Sequence, residues 1–314
     1  MVLSKMRQAK GLMAGKFASD LLGAQRDGKV YSVFERTFNV LFDNGLVGIT
    51  RSEVPLSPMD LRTDISPPEK IPELGIKKGL QAKVSGDFVS VGDVLHIDLT
   101  EAGVWRPPNR VKDPADPTQI KKALSKVEEV ALARPRSEGL GQLLPYLDSI
   151  LNLEAPHLVA VNDVSQAALP QLVDLVRATT EGDIHGIKTA VNKLIGLGPG
   201  LTPSADDLLI GYISAIHWVS QSFDKWDDFF RKINEAIISP AEATTLLGSQ
   251  LLRLAAHGEV NEVLVNLYQA ILSGELSTLN VLISNLMNFG STSGMDTLVG
   301  LLLGIKITLK MMFR

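Results

Sequence analysis

The sequence predicts an α+β protein: an N-terminal antiparallel β-rich domain, a small sheet or barrel, followed by a larger all-α domain. Three observations carry this reading. From Lys29 to Trp105 short runs alternate apolar and polar residues between turn signals. Next, "RPPNRVKDPADP" places four prolines in twelve residues, which forbids regular structure and reads as a linker or rim loop. Beyond it, apolar residues recur near a 3.6-residue period. The domains are drawn at 1–114, β-rich with an N-terminal helical segment, and 115–314, α-helical. A chain of 314 residues exceeds the length that one hydrophobic core usually serves.

Within the first domain, "KVYSVFERTFNVLF" alternates and is rich in aromatic and β-branched side chains. "DNGLVGIT" carries Asn44-Gly45, a strong short-range hairpin signal. "LQAKVSGDFVSVGDVLHIDL" supplies further short strands, and Pro55, Pro58, Pro67, Pro68 and Pro72 fall between them. Roughly five to seven strands are expected. In the second domain, Ile120, Leu124, Val127 and Leu132 mark one helical face. "DVSQAALPQLVDLVRATT", "DIHGIKTAVNKLIGL", "PAEATTLLGSQLLRLAAHG", "NEVLVNLYQAILSG" and "STLNVLISNLMNF" continue the pattern, opening with cap residues or closing near Gly. Roughly eight to ten helices are expected. Strands and helices do not alternate, so a Rossmann-type nucleotide site is not expected.

Composition narrows the function classes. A formal net charge of -4 offers no electrostatic attraction for nucleic acid or an anionic membrane. The absence of cysteine removes disulfides, thiolate metal sites and a cysteine nucleophile. Lys5, Arg7, Lys10 and Lys16 interrupt every apolar run at the N-terminus, so no secretory signal is read there. Lys306 and Lys310 break the apolar C-terminal stretch short of the roughly 20 residues that span a bilayer. A buried terminal helix and a cytoplasmic protein are expected.

The stretch richest in chemistry is "IGLGPGLTPSADDLLIG". Gly196 or Gly198 suits a helix C-terminal cap of positive φ. Thr202 then reads as the N-cap of the next helix, with Pro203 at its first position. On that reading the N–H groups of Ser204, Ala205 and Asp206 are free and face the space beside Gly198 and Gly200, where a helix start favours an anion. Asp206 and Asp207 complicate the site, because a carboxylate near a helix start is itself favoured by roughly 0.3–1 kcal/mol. Ser204, Asp207 and Gly211 share one helical face. Asp207 is read as an acceptor for a ligand N–H, a positioner of backbone N–H groups, or a Mg²⁺ ligand. A P-loop is excluded, since no lysine lies between Lys193 and Lys225.

Near the C-terminus the pattern returns as "STSGMDTLVG". Laid over the first stretch without gaps, Ser204, Ala205, Asp207, Leu209, Ile210 and Gly211 fall on Ser293, Gly294, Asp296, Leu298, Val299 and Gly300. The recurrence predicts that Gly211 and Gly300 let two helices approach closely, and that Asp207 and Asp296 lie near one another at a shared cavity. In "TTLLGSQLLRLAAHGE", Thr245, Ser249 and Ala256 form a small, hydroxyl-bearing face that either packs a helix or lines a pocket. Plain structural readings stand beside each of these. The glycines can serve a turn alone, the aspartates a helix dipole, and Thr245 and Ser249 ordinary packing with hydroxyls bonded back to carbonyls one turn earlier. His96, His157, His185, His217 and His257 show no paired metal spacing, and His257 reads as a helix C-terminal residue. Trp218 and Trp226 read as core or surface anchors, and no serine sits in a G-x-S-x-G elbow.

The block "GLGPGLTPSADDLLIG" together with "TSGMDTLVG" resembles a bacterial family that includes the AllH-type subunit of oxamate carbamoyltransferase. "VYSVFERTFN" and "ATTLLGSQLLRLAAHGE" extend the resemblance over most of the chain. Ala205 departs from the family pattern, which usually has Gly at that position. The resemblance implies a multi-subunit enzyme of allantoin and purine catabolism that moves a carbamoyl group between oxamate, as oxalurate, and phosphate. It makes phosphate, carbamoyl phosphate or oxamate the expected small-molecule partner; nothing in the sequence demands a redox cofactor, and Mg²⁺ stays open. On this reading Asp207 and Asp296 are the candidate catalytic residues. Gly198, Gly200, Thr202, Ser204, Asp206, Thr245, Ser249, Ser293 and Gly294 are the candidate binding residues. Two other readings stay open: a stand-alone enzyme on a small carboxylate or amide assisted by Mg²⁺, and a non-catalytic partner whose glycine-rich helix ends form an interface with other subunits or with a second copy in a homodimer.

Overall fold

The computed structural model describes residues 6–134, 137–154, 156, 160–225 and 228–313. The chain divides into two compact units, Met1–Pro107 and Pro108–Arg314.

The first unit is a β-barrel. Its strands are β1 (Arg7–Gly15), β2 (Arg26–Val33), β3 (Thr37–Phe42), β4 (Gly45–Thr50), β5 (Asp60–Thr63), β6 (Gln81–Ser85), β7 (Phe88–Val91), β8 (Leu95–Asp98) and β9 (Gly103–Trp105). Hydrogen bonding runs β5-β4-β3-β2-β6-β7-β8-β1-β9, and an antiparallel pairing of β1 with β5 closes eight strands into a ring. The ninth strand lies parallel on the end of β1. Most pairings are antiparallel, as expected, but β4–β5 and β1–β8 are parallel. Closure removes the open edges that would otherwise template association.

Strand β6 shows why these residues make this unit: Ala82 and Val84 point into the core while Gln81, Lys83 and Ser85 face out. Phe38, Val40, Val47, Ile49, Leu61, Val89, Leu95 and Ile97 fill the interior. The expected hairpin is present, with Phe42 paired to Gly45, so its two-residue turn is Asp43-Asn44 rather than Asn44-Gly45. The structure contains more strands than the roughly five to seven expected from turn spacing, and they begin at Arg7 rather than Lys29. The N-terminal helical segment is α1 (Lys16–Leu22), which follows β1.

The second unit contains, among the described residues, α2 (Pro117–Leu132), α3 (Leu147–Leu151), α4 (Asp163–Glu181), α5 (Ile184–Leu194), α6 (Ser204–Ser222), α7 (Asp228–Ile238), α8 (Leu246–Ala255), α9 (Glu262–Leu272), α10 (Leu279–Met287) and α11 (Ser293–Met312). Side-chain caps start several of them: Asp116 accepts from Thr118 and Gln119 N–H, and Asn162 accepts from Ser165 N–H.

At the centre stands α6, buried on every face from Ser204 to Ser220. Such a helix is held by its neighbours rather than by its own amphipathicity. Its main neighbour is α11, also largely buried. A Cβ on Gly211 would lie 2.1 Å from the Thr297 carbonyl oxygen, and one on Gly300 would lie 1.8 Å from that of Leu208. The displacement that superposes the two sequence motifs carries Leu208 onto Thr297 and Gly211 onto Gly300. The helices therefore cross through an approximate two-fold relation, each glycine receiving the other helix's backbone. The expected close approach is what these positions make. Trp218 is a core residue, its indole N–H bonded to the Gly258 carbonyl at 3.0 Å. His157 and Trp226 lie outside the described residues. Among the described residues, no helix is long and apolar enough to cross a membrane.

Candidate functional site

The two motifs meet where α6 and α11 begin. Thr202 Oγ1 and Ser293 Oγ stand 3.3 Å apart, joining the end of the glycine-rich turn to the start of α11. Each acidic side chain feels the other helix's opening serine: the Ser293 hydroxyl holds down the pKa of Asp207, and the Ser204 hydroxyl that of Asp296. Neither carboxyl is open to solvent, with Asp207 5% and Asp296 0% exposed. One oxygen of each, Oδ2, is buried without a hydrogen-bond partner.

Burial dominates the electrostatics. It pushes Asp207 well above the ordinary carboxylate range, and the nearby charge of Asp296 adds to the shift while the Ser293 and Thr202 hydroxyls oppose it. Burial likewise raises Asp296 to about 6, opposed by the Leu140 N–H and the Ser204 and Thr292 hydroxyls. The two halves therefore differ in one respect. Leu140 N–H donates to Asp296 Oδ1 at 2.6 Å, whereas hydroxyls alone oppose the rise at Asp207. Gly139 makes that contact accessible, since its φ is +66° and a Cβ there would lie 2.5 Å from Asp296 Oδ1. The Gly139 carbonyl is held by Ser165 Oγ at 2.9 Å and Asn162 Nδ2 at 2.8 Å.

The helix starts differ from the expected caps. Residue Pro203, with ψ of 147°, is the N-cap of α6, and α6 begins at Ser204 with no side-chain cap bond. Thr202 instead faces Ser293 and Asp207. Of the three N–H groups expected to be free, two are occupied: Ala205 donates to the Leu197 carbonyl at 3.0 Å and Asp206 to that of Pro203 at 2.9 Å, while Ser204 N–H makes no backbone bond among the described residues. In α11, Gly294 donates to Phe289 and Met295 to Thr292 in the same way. The helix-end anion cradle is thus closed in part by the chain itself, with the Ser204 and Ser293 amides left without a backbone acceptor among the described residues. Around the two helix starts, the amides that make no backbone bond among the described residues are those of Gly198, Gly200, Leu201, Thr202 and Ser204, at α6 and the turn above it, and of Gly290, Ser291, Thr292 and Ser293, at α11 and the turn above it. Both turns are partly or fully exposed.

Glycine conformation builds those turns. Gly198 and Gly200 have φ of 113° and 102°, and Gly290 has 66°. A Cβ on Gly198 would lie 2.8 Å from Ser204 N, and one on Gly290 3.1 Å from Ser293 Oγ. A left-handed glycine thus rests on each helix-opening serine.

Other expected site residues fall elsewhere. Asp206 turns away from Asp207 to accept from Gly196 N–H at 2.8 Å and from the Thr244 hydroxyl. Burial raises its pKa, opposed by those two bonds. Thr245 caps α8 through Gly248 N–H and donates its hydroxyl to the Leu201 carbonyl, which anchors the turn from outside. This differs from the expected bond back along its own helix. Ser249 is buried on α8, its N–H bonded to the Thr245 carbonyl at 2.9 Å. Gly294 packs against the end of α10, where a Cβ would lie 1.7 Å from the Leu286 carbonyl oxygen. Sequence reasoning missed Gly139, Leu140, Thr244 and Thr292. The pair Gly139 and Gly141, two glycines one residue apart after a helix, was the signal that pointed to the first two.

No group of three or more His, Cys, Asp or Glu side chains among the described residues is placed to hold a metal ion. His217 lies further along α6 beside His257, and burial holds it down to about 4. A hollow of about 490 Å³ lies at the far end of α11, lined by Lys121, Leu124, Lys306, Lys310 and Phe313 among others, and does not include the acidic pair.

Two family models match the chain. One, described as oxamate carbamoyltransferase subunit AllH, matches residues 194–305, which run from the glycine-rich turn into α11 and contain both aspartates. The other, described as the AllH family N-terminal domain, matches residues 9–104, the barrel. Together they cover most of the chain. No solved structure matches it.

Proposed function

The chain belongs to the AllH family of oxamate carbamoyltransferase subunits, and from that premise we propose that it serves carbamoyl transfer between oxamate and phosphate at the meeting point of α6 and α11. In the direction that consumes oxalurate, a phosphate oxygen bonds to the carbamoyl carbon. The bond from that carbon to the oxamate nitrogen breaks, and the nitrogen takes a proton. The products are carbamoyl phosphate and oxamate, and other subunits of the enzyme complete the assembly. Purine-derived ureides are the metabolic source this reading assigns to the substrate.

One observation carries the proposal: Asp207 and Asp296 each feel the other helix's opening serine, and each keeps a buried oxygen without a partner. Buried polar atoms left unpaired cost roughly 1–3 kcal/mol each, and such a cost is retained where chemistry uses the group. A carboxyl held protonated by burial suits the proton that the departing oxamate nitrogen must take. Unbonded turn amides and hydroxyls suit phosphate and carboxylate oxygens, and the charge that develops on the carbamoyl oxygen. The anion-binding role falls chiefly to the exposed turns at Gly200–Thr202 and Gly290–Ser291.

Titration with carbamoyl phosphate, oxamate and phosphate, with and without Mg²⁺, tests binding; metal-free binding is expected. In the complex reconstituted with its partner subunits, Asp207→Asn should abolish turnover and leave the fold intact. Unchanged turnover removes Asp207 from the mechanism.

A further inference from the structure

We infer that the Thr202 and Ser293 hydroxyls form a proton relay between the buried Asp207 carboxyl and the nitrogen of a substrate seated against the two glycine turns. The inference rests on the carbamoyl-transfer reading and assigns the route by which its proton moves.

Reach is the first argument. Transfer from nitrogen needs a proton at that nitrogen, and a donor must come within hydrogen-bonding distance of it. Asp207 is 5% exposed and Asp296 not at all, so neither carboxyl meets a ligand above the turns directly. Thr202 and Ser293 are both half-buried, so their hydroxyls reach solvent where the Asp207 carboxyl does not. Both hydroxyls hold down the pKa of Asp207, and they face each other at 3.3 Å. A hydroxyl donates and accepts at once, so it can pass one proton upward as it receives another from below.

The surroundings favour a stored proton. The charges that bear on Asp207 are those of Asp296 on α11 and Asp206 on its own helix, both negative. Besides Asp207, the groups that bear on Asp296 are Leu140 N–H, Ser204 and Thr292, all uncharged. No lysine, arginine or histidine is among the groups that shift either carboxyl. Two carboxyls in this setting resist carrying two charges, so the pair holds one proton between them. The Leu140 N–H at 2.6 Å from Asp296 Oδ1 stabilises the charged form there, which leaves the proton on Asp207. Asp296 is then a positioning residue.

The step balances. As phosphate oxygen bonds the carbamoyl carbon and the carbon–nitrogen bond breaks, the Ser293 or Thr202 hydroxyl gives its proton to the oxamate nitrogen. The same hydroxyl takes the Asp207 proton and ends neutral, with Asp207 as a carboxylate; the proton brought by hydrogen phosphate is released as carbamoyl phosphate forms and reprotonates Asp207. The reverse reaction returns the proton along the same atoms.

The assay is phosphorolysis of oxalurate across a pH series in the reconstituted complex. The wild-type rate should decline on the alkaline side as the pair loses its shared proton. Thr202→Val with Ser293→Ala should lower kcat about 100-fold or more with KM within about three-fold, the scale of a lost general acid. The hydroxyl-retaining Thr202→Ser and Ser293→Thr should stay near wild type, which controls for packing. Asp207→Asn should be inactive across the whole pH series. A double variant that keeps both rate and limb while Asp207→Asn is inactive overturns the relay and spares the site. Wild-type behaviour in both variants overturns the relay and the site together. If the double variant does not fold, Ser293→Ala against Ser293→Thr decides by the same criteria.

Discussion

Gly211 and Gly300 each receive the other helix's backbone. A Cβ on the first would lie 2.1 Å from Thr297 O, and one on the second 1.8 Å from Leu208 O. This reciprocal contact fixes how closely α6 and α11 cross, and so brings Asp207 and Asp296 together. It links a spacing visible in the sequence to the electrostatics of the site.

Gly211→Ala and Gly300→Ala should therefore be similarly destabilising, because both force the same two backbones apart. Overpacking costs about 1–3 kcal/mol, and a backbone obstacle places these variants at the upper end. Thermal melting should show a fall of roughly 6–12 °C. A shift within about 1 °C for either variant would contradict the tight crossing.

Stability should depend on pH through Asp296. Its folded pKa, about 6, is above its ordinary value, so the folded chain binds the proton more tightly than the unfolded chain. The stabilisation is complete below the unfolded value and is lost as pH rises through the folded one, a window from about 4 to about 6. Up to about 3 kcal/mol is involved for a shift of this size. Denaturation across that range should show stability falling with pH in the wild type and a flatter curve in Asp296→Asn. Parallel curves would show that Asp296 does not titrate there.

Asp206 and Asp207 are adjacent but should behave differently. Asp206 accepts from Gly196 N–H and Thr244, so Asp206→Ala should cost about 2–3 kcal/mol of stability by stranding two donors. Asp207→Asn keeps the shape of its site and should cost less stability and more activity. Equal effects on folding and turnover for the two variants would argue against this division.

Thr245 both caps α8 and bonds the Leu201 carbonyl. Thr245→Val should cost about 1–2 kcal/mol and accelerate amide hydrogen exchange in Leu197–Thr202. Thr245→Ser should retain protection. Unchanged exchange in the valine variant would show that the turn is held by other contacts.

The pairing of α6 with α11 was legible because Ser, Asp and Gly at fixed spacing share one face of a helix, and that face appears twice. The barrel was legible from alternation in longer strands such as β2 and β3. Its full strand count was not, since β5, β8 and β9 have three or four residues each, too few to show a period. Strand β1 is also obscured, because its inward positions include Ala9, Gly11 and Ala14. The cap of α6 was misplaced by one residue, because Pro203 is as acceptable before a helix as inside its first turn. The Leu140 bond to Asp296 was not legible, since it joins residues 156 positions apart and no local pattern encodes it.

A structure of the reconstituted complex with oxamate and carbamoyl phosphate bound tests the account most directly. The account predicts both ligands against the Gly200–Thr202 and Gly290–Ser291 turns, with a nitrogen or oxygen of the reacting group within hydrogen-bond distance of Thr202 Oγ1 or Ser293 Oγ. Ligands seated elsewhere, for instance in the lysine-lined hollow at the far end of α11, with the turns empty, would contradict it.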